Sequence, residues 1–375
     1  SSLSGGLPRP SAIFHQYKDF VIEIDKKKLD PGFAAVYSIL EGGRVFLPSG
    51  YMLEKDLAEY EAKCRKRGVP SQKIDYSKEI AKKYVQHVLD FSKGDRYNKL
   101  STMVRYSPKN QDWSWYPTPP GYMDAVEPHW KIIRPMFMDS SQQFKPKPPV
   151  PFSKDTTSEF HKLAYEVYKH GVSPTQEERE IAGFWDCNPF AISSAGHMMV
   201  GFKKISPGGH WMNIASIASN QAGHGLDKTL FVQVVTAATL MDAFISCWEE
   251  KYRSDRIRPE TYINRHIDPK WQPMLQTPPF PEYTSGHSVV SGAVSEVLTH
   301  IFGEPFHYTD DTELMFELAP RSFKSFRQAA EEAAISRMYG GIHYRDAIEF
   351  GLEQGRAIGT HVVSRLKSAE SLSKR

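Results

Sequence analysis

Three short segments of this 375-residue chain place basic side chains and histidines next to predicted helix ends. The first runs from Lys251 to an Arg258-Pro259 pair, and Lys251 lies at the end of a long apolar helical repeat. Because Lys251 follows the apolar stripe of that helix, whereas Glu249 and Glu250 fall outside the stripe, we expect its ammonium group to point inward. Two interpretations stay open: a solvated basic helix terminus, which suits the helix dipole, or a buried cation that binds an anion.

The second segment opens a helix. A proline-rich stretch ends shortly before it, and Ser285-Gly286-His287 then leads into the apolar run 289–302. Serine is a favoured N-cap residue, so we expect the helix to begin at Gly286. The first N–H groups of a helix are unpaired and lie at its positive dipole end, so they can bind an oxyanion beside His287. A plain capped helix with a partly exposed histidine is the alternative.

The third segment ends a helix and then turns. Arg337 lies on the apolar stripe of that helix, Gly340 and Gly341 follow its last turn, and His343 comes shortly after them. A glycine pair lets the backbone turn sharply beside a ligand. A metal-ligating histidine needs a partner for its second ring nitrogen, and Asp346 is a nearby candidate. In isolation, the segment is better explained as a surface histidine that follows a helix end.

Together the three segments contain the groups of an oxyanion pocket. Three positive side chains and directed N–H groups suit a tetrahedral dianion, and the arginine side chain can bind such oxygens in a bidentate manner. The candidate residues are Lys251, Arg258, Arg337, Ser285, Gly286, His287 and His343. Spacing alone does not bring these residues together in space.

The elements that must position these residues are predicted to be helical. Apolar residues recur at spacings of three and four in several segments, whereas the alternation typical of strands is scarce. The segments are 77–91, 176–186, 227–252, 286–302, 322–339 and 346–366. Ser173 is the predicted N-cap that opens the C-terminal helices, with Pro174 at the first helical position. We therefore predict an all-α helical bundle, with an N-terminal region at 1–173 and the region that carries the site at 174–375.

The last predicted helix contains a regular glycine repeat. Gly351, Gly355 and Gly359 recur every four residues, and each glycine costs ~1 kcal/mol of helix propensity. This cost is expected where a second helix packs very closely. We therefore predict a structural role for the repeat.

Composition excludes several classes of protein. The chain has 47 basic and 44 acidic residues, and this balance argues against a nucleic-acid-binding or membrane-surface protein. The most apolar run, 230–245, is interrupted by polar residues and is predicted to be a core helix instead of a membrane span. Cys64, Cys187 and Cys247 show no C-x-x-C spacing, which argues against a disulfide framework or a zinc site, so we expect buried thiols.

The combined pattern resembles a known signature. Lysine, six residues, Arg-Pro, then Ser-Gly-His at a helix start, then Ser-Arg, five residues and His is similar to the signature of the vanadium-dependent haloperoxidases and the related type 2 phosphatidic acid phosphatases. The matching span, 251–343, is about a quarter of the chain. Its last motif, Met-Tyr-Gly-Gly-Ile-His-Tyr-Arg, most resembles the vanadium iodoperoxidases of marine bacteria. Two positions depart from the family pattern. Thr284 stands where many of the phosphatases have proline, a change outside the anion donors. Ala347 stands where an acidic partner of His343 usually lies, so Glu349 or a backbone carbonyl is an alternative to Asp346.

The resemblance implies a cofactor and a set of roles. Orthovanadate, containing vanadium(V), would be bound to His343 as the metal ligand. Lys251, Arg258 and Arg337 would neutralise its oxygens, and Ser285 and the Gly286 N–H would donate hydrogen bonds to them. His287 would act as the acid/base, and Lys251 would also assist catalysis by polarising bound peroxide. The implied activity is oxidation of halide, with iodide favoured, by hydrogen peroxide to hypohalous acid.

Other functions stay open at this point. Phosphate has the same shape as vanadate, so an acid phosphatase with His343 as nucleophile and His287 as general acid is the main alternative. A third possible function is that of a helical anion-binding protein without catalytic turnover. Trp248 and Phe280 are candidates for the walls of a halide path, although ordinary core packing is the better explanation of aromatic residues at such positions. The family's bacterial members and the leaderless start favour a periplasmic or secreted protein.

Overall fold

The structure, a computed structural model, describes residues 7–201 and 204–373. Helices dominate these residues, which confirms the all-α prediction. The helices are α1 (Pro10–Ile13), α2 (Pro31–Phe46), α3 (Leu53–Lys66), α4 (Ser71–Lys93), α5 (Glu159–Val172), α6 (Gln176–Phe184), α7 (Pro207–Gln221), α8 (Leu226–Ser254), α9 (Pro259–His266), α10 (Gly286–Phe302), α11 (Phe326–Tyr339) and α12 (Arg345–Ser373). Short 3-10 helices lie at Gly50–Met52, Tyr97–Thr102, Trp130–Ile132 and Thr312–Phe316. Two antiparallel pairs join β1 (Ile192–Ala195) to β2 (Met198–Gly201) and β3 (Tyr308–Asp310) to β4 (Arg321–Phe323).

The chain divides into two compact units. One consists mainly of residues 16–98 and contains α2, α3 and α4. The core of this unit includes Phe33, Tyr37, Leu57, Cys64 and Ile74. The other consists mainly of residues 99 onward and contains α5 to α12. Residues 99–173, which we expected in the N-terminal region, therefore group with the C-terminal helices.

Helix α6 begins later than the sequence predicted. Thr175 is its N-cap, because the Thr175 hydroxyl accepts a hydrogen bond from the Glu178 N–H at 3.2 Å. The Glu178 carboxylate in turn accepts from the Thr175 N–H at 2.7 Å, which completes a capping box. Ser173 instead ends α5, so its prediction as an N-cap was wrong. The Thr-x-x-Glu pattern satisfies two backbone donors and is the stronger helix-start signal.

Helices α10 and α12 pack with their backbones in close contact. A Cβ atom added to Gly355 would lie 2.2 Å from the carbonyl oxygen of Val289, and one added to Gly359 would lie 2.4 Å from that of Ala293. Both positions are therefore restricted to glycine by the neighbouring helix. The structural role predicted for the glycine repeat is confirmed.

Helix α8 contributes several buried residues to the main hydrophobic core of the second unit. It is long and apolar enough to span a membrane by length and composition, but most of its apolar stretch is buried inside the protein, as in a core helix. Lys251 is fully buried, as its stripe position predicted. Glu249 and Glu250 are buried as well, so the prediction that they fall outside the buried face was wrong. Both carboxylates pair with Arg253 on the next turn of the helix, which compensates their burial.

Candidate active site

Five structural elements bring the predicted residues to one place in the second unit. Lys251 lies in the last turn of α8, Arg258 caps α9 and Ser285 caps α10. Arg337 lies in the last turn of α11, and His343 lies in the loop between α11 and α12. The side chains of all five are buried. Three segments that are far apart in sequence therefore meet around His343.

Both ring nitrogens of His343 have defined neighbours. Its Nδ1 lies 2.8 Å from Oε1 of Glu282, and its Nε2 lies 3.2 Å from Nη1 of Arg258. A carboxylate accepts hydrogen bonds, so Nδ1 carries the proton and Nε2 presents its lone pair. Burial and the positive charges of Arg258, Lys251 and Arg337 lower the pKa of His343 far below its ordinary value. The ring is therefore neutral and able to act as a ligand or a nucleophile through Nε2.

The carboxylate that orients His343 is a residue that the sequence analysis missed. Asp346 instead forms a buried ion pair with Arg256, at 2.8 Å, and accepts a hydrogen bond from the Val150 N–H at 3.1 Å. Glu349 pairs with Arg345 at 3.7 Å. Neither of the two acidic candidates near His343 in sequence is the partner of its ring. The prediction of Asp346 was wrong because this carboxylate, in the first turn of α12, pairs with Arg256 from another segment.

The carboxylate that contacts the His343 ring belongs to Glu282, in the loop before α10. Its Oε1 also accepts a hydrogen bond from the Tyr344 N–H at 3.0 Å, which fixes the turn that follows His343. Burial raises the pKa of Glu282 to about 7, and the positive charge of Arg256 opposes this rise. The sequence contained one signal for the residue: an acidic side chain within a proline-rich aromatic stretch, three residues before Ser285.

Lys251 donates to the loop that leads into α10. Its Nζ lies 3.1 Å from the carbonyl oxygens of Pro281 and Glu282 and 2.6 Å from that of Thr284. Burial and, to a smaller extent, the charge of Arg258 together lower the pKa of Lys251 to about 8, although Cys247 and Glu282 oppose the shift. Lys251 therefore fixes the loop as well as adding positive charge to the site.

Arg258 and Arg337 each have a nitrogen without a hydrogen-bond partner among the described residues. Arg258 donates through Nε to the Phe280 carbonyl at 2.9 Å and through Nη1 to the Ile342 carbonyl at 2.8 Å. Arg337 donates through Nη1 to the Trp185 carbonyl at 2.6 Å. The Nη2 atom of Arg258 and the Nε atom of Arg337 are buried and form no hydrogen bond with the described residues. Buried unpaired N–H groups are costly, so these donors favour a bound anion.

The start of α10 adds neutral donors and a second histidine. The Ser285 hydroxyl accepts from the Ser288 N–H at 3.3 Å, so its own proton is available for another acceptor. The N–H groups of Gly286 and His287 precede the first hydrogen-bonded turn of the helix. The His287 Nε2 atom is buried and has no partner among the described residues. Burial and the charge of Arg337 lower the pKa of His287 far below its ordinary value, so its ring is neutral.

A cavity of about 310 Å³ opens onto these groups. Gly286, His287, Arg337 and His343 line its polar side. Its other walls are mostly apolar and include Trp130, Phe190, Phe244, Trp248 and Phe280. Trp248 and Phe280 thus pack in the core and also face the cavity. The arrangement can hold a tetrahedral oxyanion against His343 and admit a small substrate along an aromatic wall.

Comparisons with known proteins found a matching family model and similar solved structures. Residues 264–371 match the family model of the second helical-bundle domain of VCPO. A solved bacterial vanadium-dependent iodoperoxidase is similar over 92% of this chain and 82% of its own, with 45% identity and a TM-score of 0.86. Holo-type and apo-type structures of a bacterial vanadium-dependent chloroperoxidase have TM-scores of 0.69 and 0.67 at 14% and 13% identity. Each covers 90% of this chain, and this chain covers 82% and 84% of theirs. No curated protein sequence gives a significant match.

Proposed function

This chain belongs to the vanadium-dependent haloperoxidase family, and we propose that it oxidises iodide with hydrogen peroxide at a vanadate bound through His343. The support for iodide is the 45% identity to a bacterial iodoperoxidase. The chloroperoxidase structures, at 14% and 13% identity, support the fold alone. The single observation that carries the proposal is the geometry of His343, whose Nδ1 faces Glu282 at 2.8 Å and leaves Nε2 as the ligand atom.

The residues present fit a vanadate. Two arginine nitrogens, Nη2 of Arg258 and Nε of Arg337, are buried without a partner in the described structure. The Ser285 hydroxyl and the Gly286 N–H are further donors at the start of α10. His343 would bind the metal, and Lys251, Arg258 and Arg337 would offset the negative charge of the oxygens. The donor set is thus positive and rich in N–H groups, as a tetraoxo anion requires.

When bound, vanadate supplies a Lewis-acidic centre that activates hydrogen peroxide towards attack by halide. Arg258 and Arg337 would stabilise its negative oxygens from fixed positions, because their other N–H groups donate to backbone carbonyls. Lys251 would add positive charge from its position against the loop before α10, where its Nζ donates to the Thr284 carbonyl. Preorganised donors of this kind act strongly in a buried site, since no reorientation is needed during the reaction.

His287 is suited to proton transfer. Its ring is neutral because burial and Arg337 depress its pKa, so Nε2 can accept a proton from peroxide as peroxide binds. Its Nε2 atom has no competing partner among the described residues. Phe244, Trp248 and Phe280 line the cavity beside this atom, so the substrate approaches it along an aromatic wall.

A paired assay tests the proposal. Protein incubated with vanadate is given iodide or bromide with hydrogen peroxide, and triiodide or tribromide formation is followed. We expect turnover that requires vanadate, with a larger kcat/KM for iodide than for bromide. Vanadate-free protein is assayed in parallel with p-nitrophenyl phosphate. Halide oxidation that does not depend on vanadate would contradict the proposal, and phosphate ester hydrolysis without halide oxidation would favour the phosphatase alternative.

A further inference from the structure

A second cluster of metal-binding side chains lies beside the active-site cavity. Cys187 lies in the turn after α6, His210 in the first turn of α7, and Glu313 in the 3-10 helix Thr312–Phe316. All three side chains are buried. The mechanism described above uses none of them. Cys187 also lines the cavity that contains His287 and His343, so the cluster adjoins the site without sharing its residues.

The three ligand atoms have the spacing of one coordination shell. The Sγ atom of Cys187 lies 3.3 Å from Nδ1 of His210 and 3.8 Å from Oε1 of Glu313, and Nδ1 lies 3.1 Å from Oε1. Tetrahedral zinc binds sulfur, nitrogen and oxygen at about 2.0–2.3 Å, which separates neighbouring ligands by about 3.3–3.6 Å. The three separations bracket this range, so a cation fits between them with little movement.

The second nitrogen of His210 is held as in known metal sites. Its Nε2 lies 2.7 Å from Oδ2 of Asp310, a buried carboxylate. Oδ1 of Asp310 accepts hydrogen bonds from the N–H and hydroxyl of Thr312 at 3.0 and 2.5 Å. The Trp185 ring stacks on the imidazole at 4.6 Å. A carboxylate on the far nitrogen of a ligating histidine fixes its tautomer and ring orientation, leaving Nδ1 as the ligand atom.

We propose that Cys187, His210 and Glu313 bind a divalent cation of the zinc type, with a solvent molecule from the cavity as the fourth ligand. Thiolate, imidazole and carboxylate form a mixed ligand set that zinc accepts. Binding replaces two protons, one from the Cys187 thiol and one from the His210 ring. The net charge of the buried cluster is therefore the same with and without the cation.

The cation would stabilise one wall of the active site. The Trp185 carbonyl accepts from Nη1 of Arg337 at 2.6 Å and from the N–H of Cys187 at 2.8 Å. A cation bound to Cys187 fixes this turn and so positions the carbonyl that orients Arg337. Its effect on Arg337 would be indirect, through the turn that contains Trp185 and Cys187. The absence of C-x-x-C spacing does not exclude this site, because its ligands come from three separate segments.

Cobalt substitution tests the proposal without halide or peroxide, so its outcome is independent of the haloperoxidase assay. Vanadate-free protein is treated with a chelator, dialysed and titrated with Co²⁺, and the thiolate-to-cobalt charge-transfer band is recorded. We expect about one Co²⁺ per chain. The band should be lost in Cys187→Ser and retained in Cys64→Ser, a matched control because Cys64 is also a buried free thiol in a different unit.

Thermal unfolding of the unmutated chain provides a second test, which does not depend on whether Cys187→Ser folds. Adding Zn²⁺ to the chelator-treated protein should raise Tm by at least about 2 °C. The absence of both the cobalt band and the Tm shift in the unmutated protein would overturn the proposal. Retention of the band in Cys187→Ser would overturn it as well. Either result would show that the cluster binds no cation and that His210 only forms ion pairs with Asp310 and Glu313.

Discussion

Nδ1 of His343 faces Oε1 of Glu282 at 2.8 Å, although the two residues are 61 positions apart in sequence. The loop before α10 supplies the carboxylate, and the loop after α11 supplies the imidazole. Arg256 lies 3.4 Å from the other carboxylate oxygen of Glu282 and also pairs with Asp346. The orientation of His343, the proposed metal ligand, therefore depends on a buried charge network that spans three segments of the chain.

Replacement of Glu282 should weaken vanadate binding without removing a ligand. We expect Glu282→Ala to lower vanadate affinity by about 10–100-fold, the range for groups that orient metal-bound histidines. The variant frees the His343 ring to change tautomer and leaves Arg256 with one carboxylate fewer. Equilibrium dialysis with vanadate measures the change.

Glu282→Gln is the matched control for this prediction. The glutamine carbonyl oxygen can still accept the Nδ1 proton, so its loss of affinity should be smaller than that of the alanine variant. An affinity unchanged from the parent in Glu282→Ala would show that Glu282 does not orient His343.

Vanadate affinity should depend on the protonation of Lys251. Its pKa of about 8 means that the ammonium form dominates below pH 8 and the neutral amine above it. Since only the ammonium form attracts an anion, affinity should fall as pH rises through about 8. Vanadate itself changes ionisation with pH, so the informative quantity is the affinity ratio between the parent and Lys251→Met. This ratio should be largest below pH 8 and fall as pH rises above it, and a ratio that does not vary with pH would rule out the assigned role.

The stability of the bundle should depend on the glycine contacts between α10 and α12. In Gly355→Ala the new methyl group meets the Val289 carbonyl, and we expect a loss of about 1–3 kcal/mol in the free energy of unfolding. Gly183→Ala is the matched control, because a Cβ at this helical position contacts nothing within 4 Å. The control should be neutral or stabilised by up to ~1 kcal/mol. Equal Tm values for the two variants would refute the close-packing argument.

His287 should matter for turnover more than for vanadate binding. We expect His287→Ala to bind vanadate more weakly but measurably, and to lose about 10²–10⁴-fold in kcat for iodide oxidation, the usual contribution of a general acid or base. His300→Ala, at the other end of α10, provides a control on the same helix. Parent-like kcat in the His287 variant would remove this residue from the mechanism.

The sequence was informative wherever one segment contains its own signal. The helix from Gly286 to Phe302 and its Ser285 cap were predicted correctly, because a cap and an apolar repeat are local features. The inward position of Arg337 followed from helical periodicity in the same way. The glycine repeat also identified a close helix contact, although not its partner.

Contacts between segments that are distant in sequence could not be predicted from such local signals. Asp346 was the nearest acidic residue to His343 with the right chemistry, but the tertiary fold pairs it with Arg256 and leaves the role to Glu282. Burial of Glu249 and Glu250 likewise depends on how neighbouring elements surround the end of α8. Spacing shows which residues share a face, whereas three-dimensional packing determines which faces meet.

The most direct test of the central claim is vanadate binding by His343→Ala, measured by equilibrium dialysis and compared with the parent. We expect affinity to fall by more than the ~100-fold associated with orienting groups, because the one bond to the metal is removed, and vanadate-dependent triiodide formation to be lost with it. A His343→Ala protein that retains tight vanadate binding and oxidises iodide would show that His343 is not the ligand.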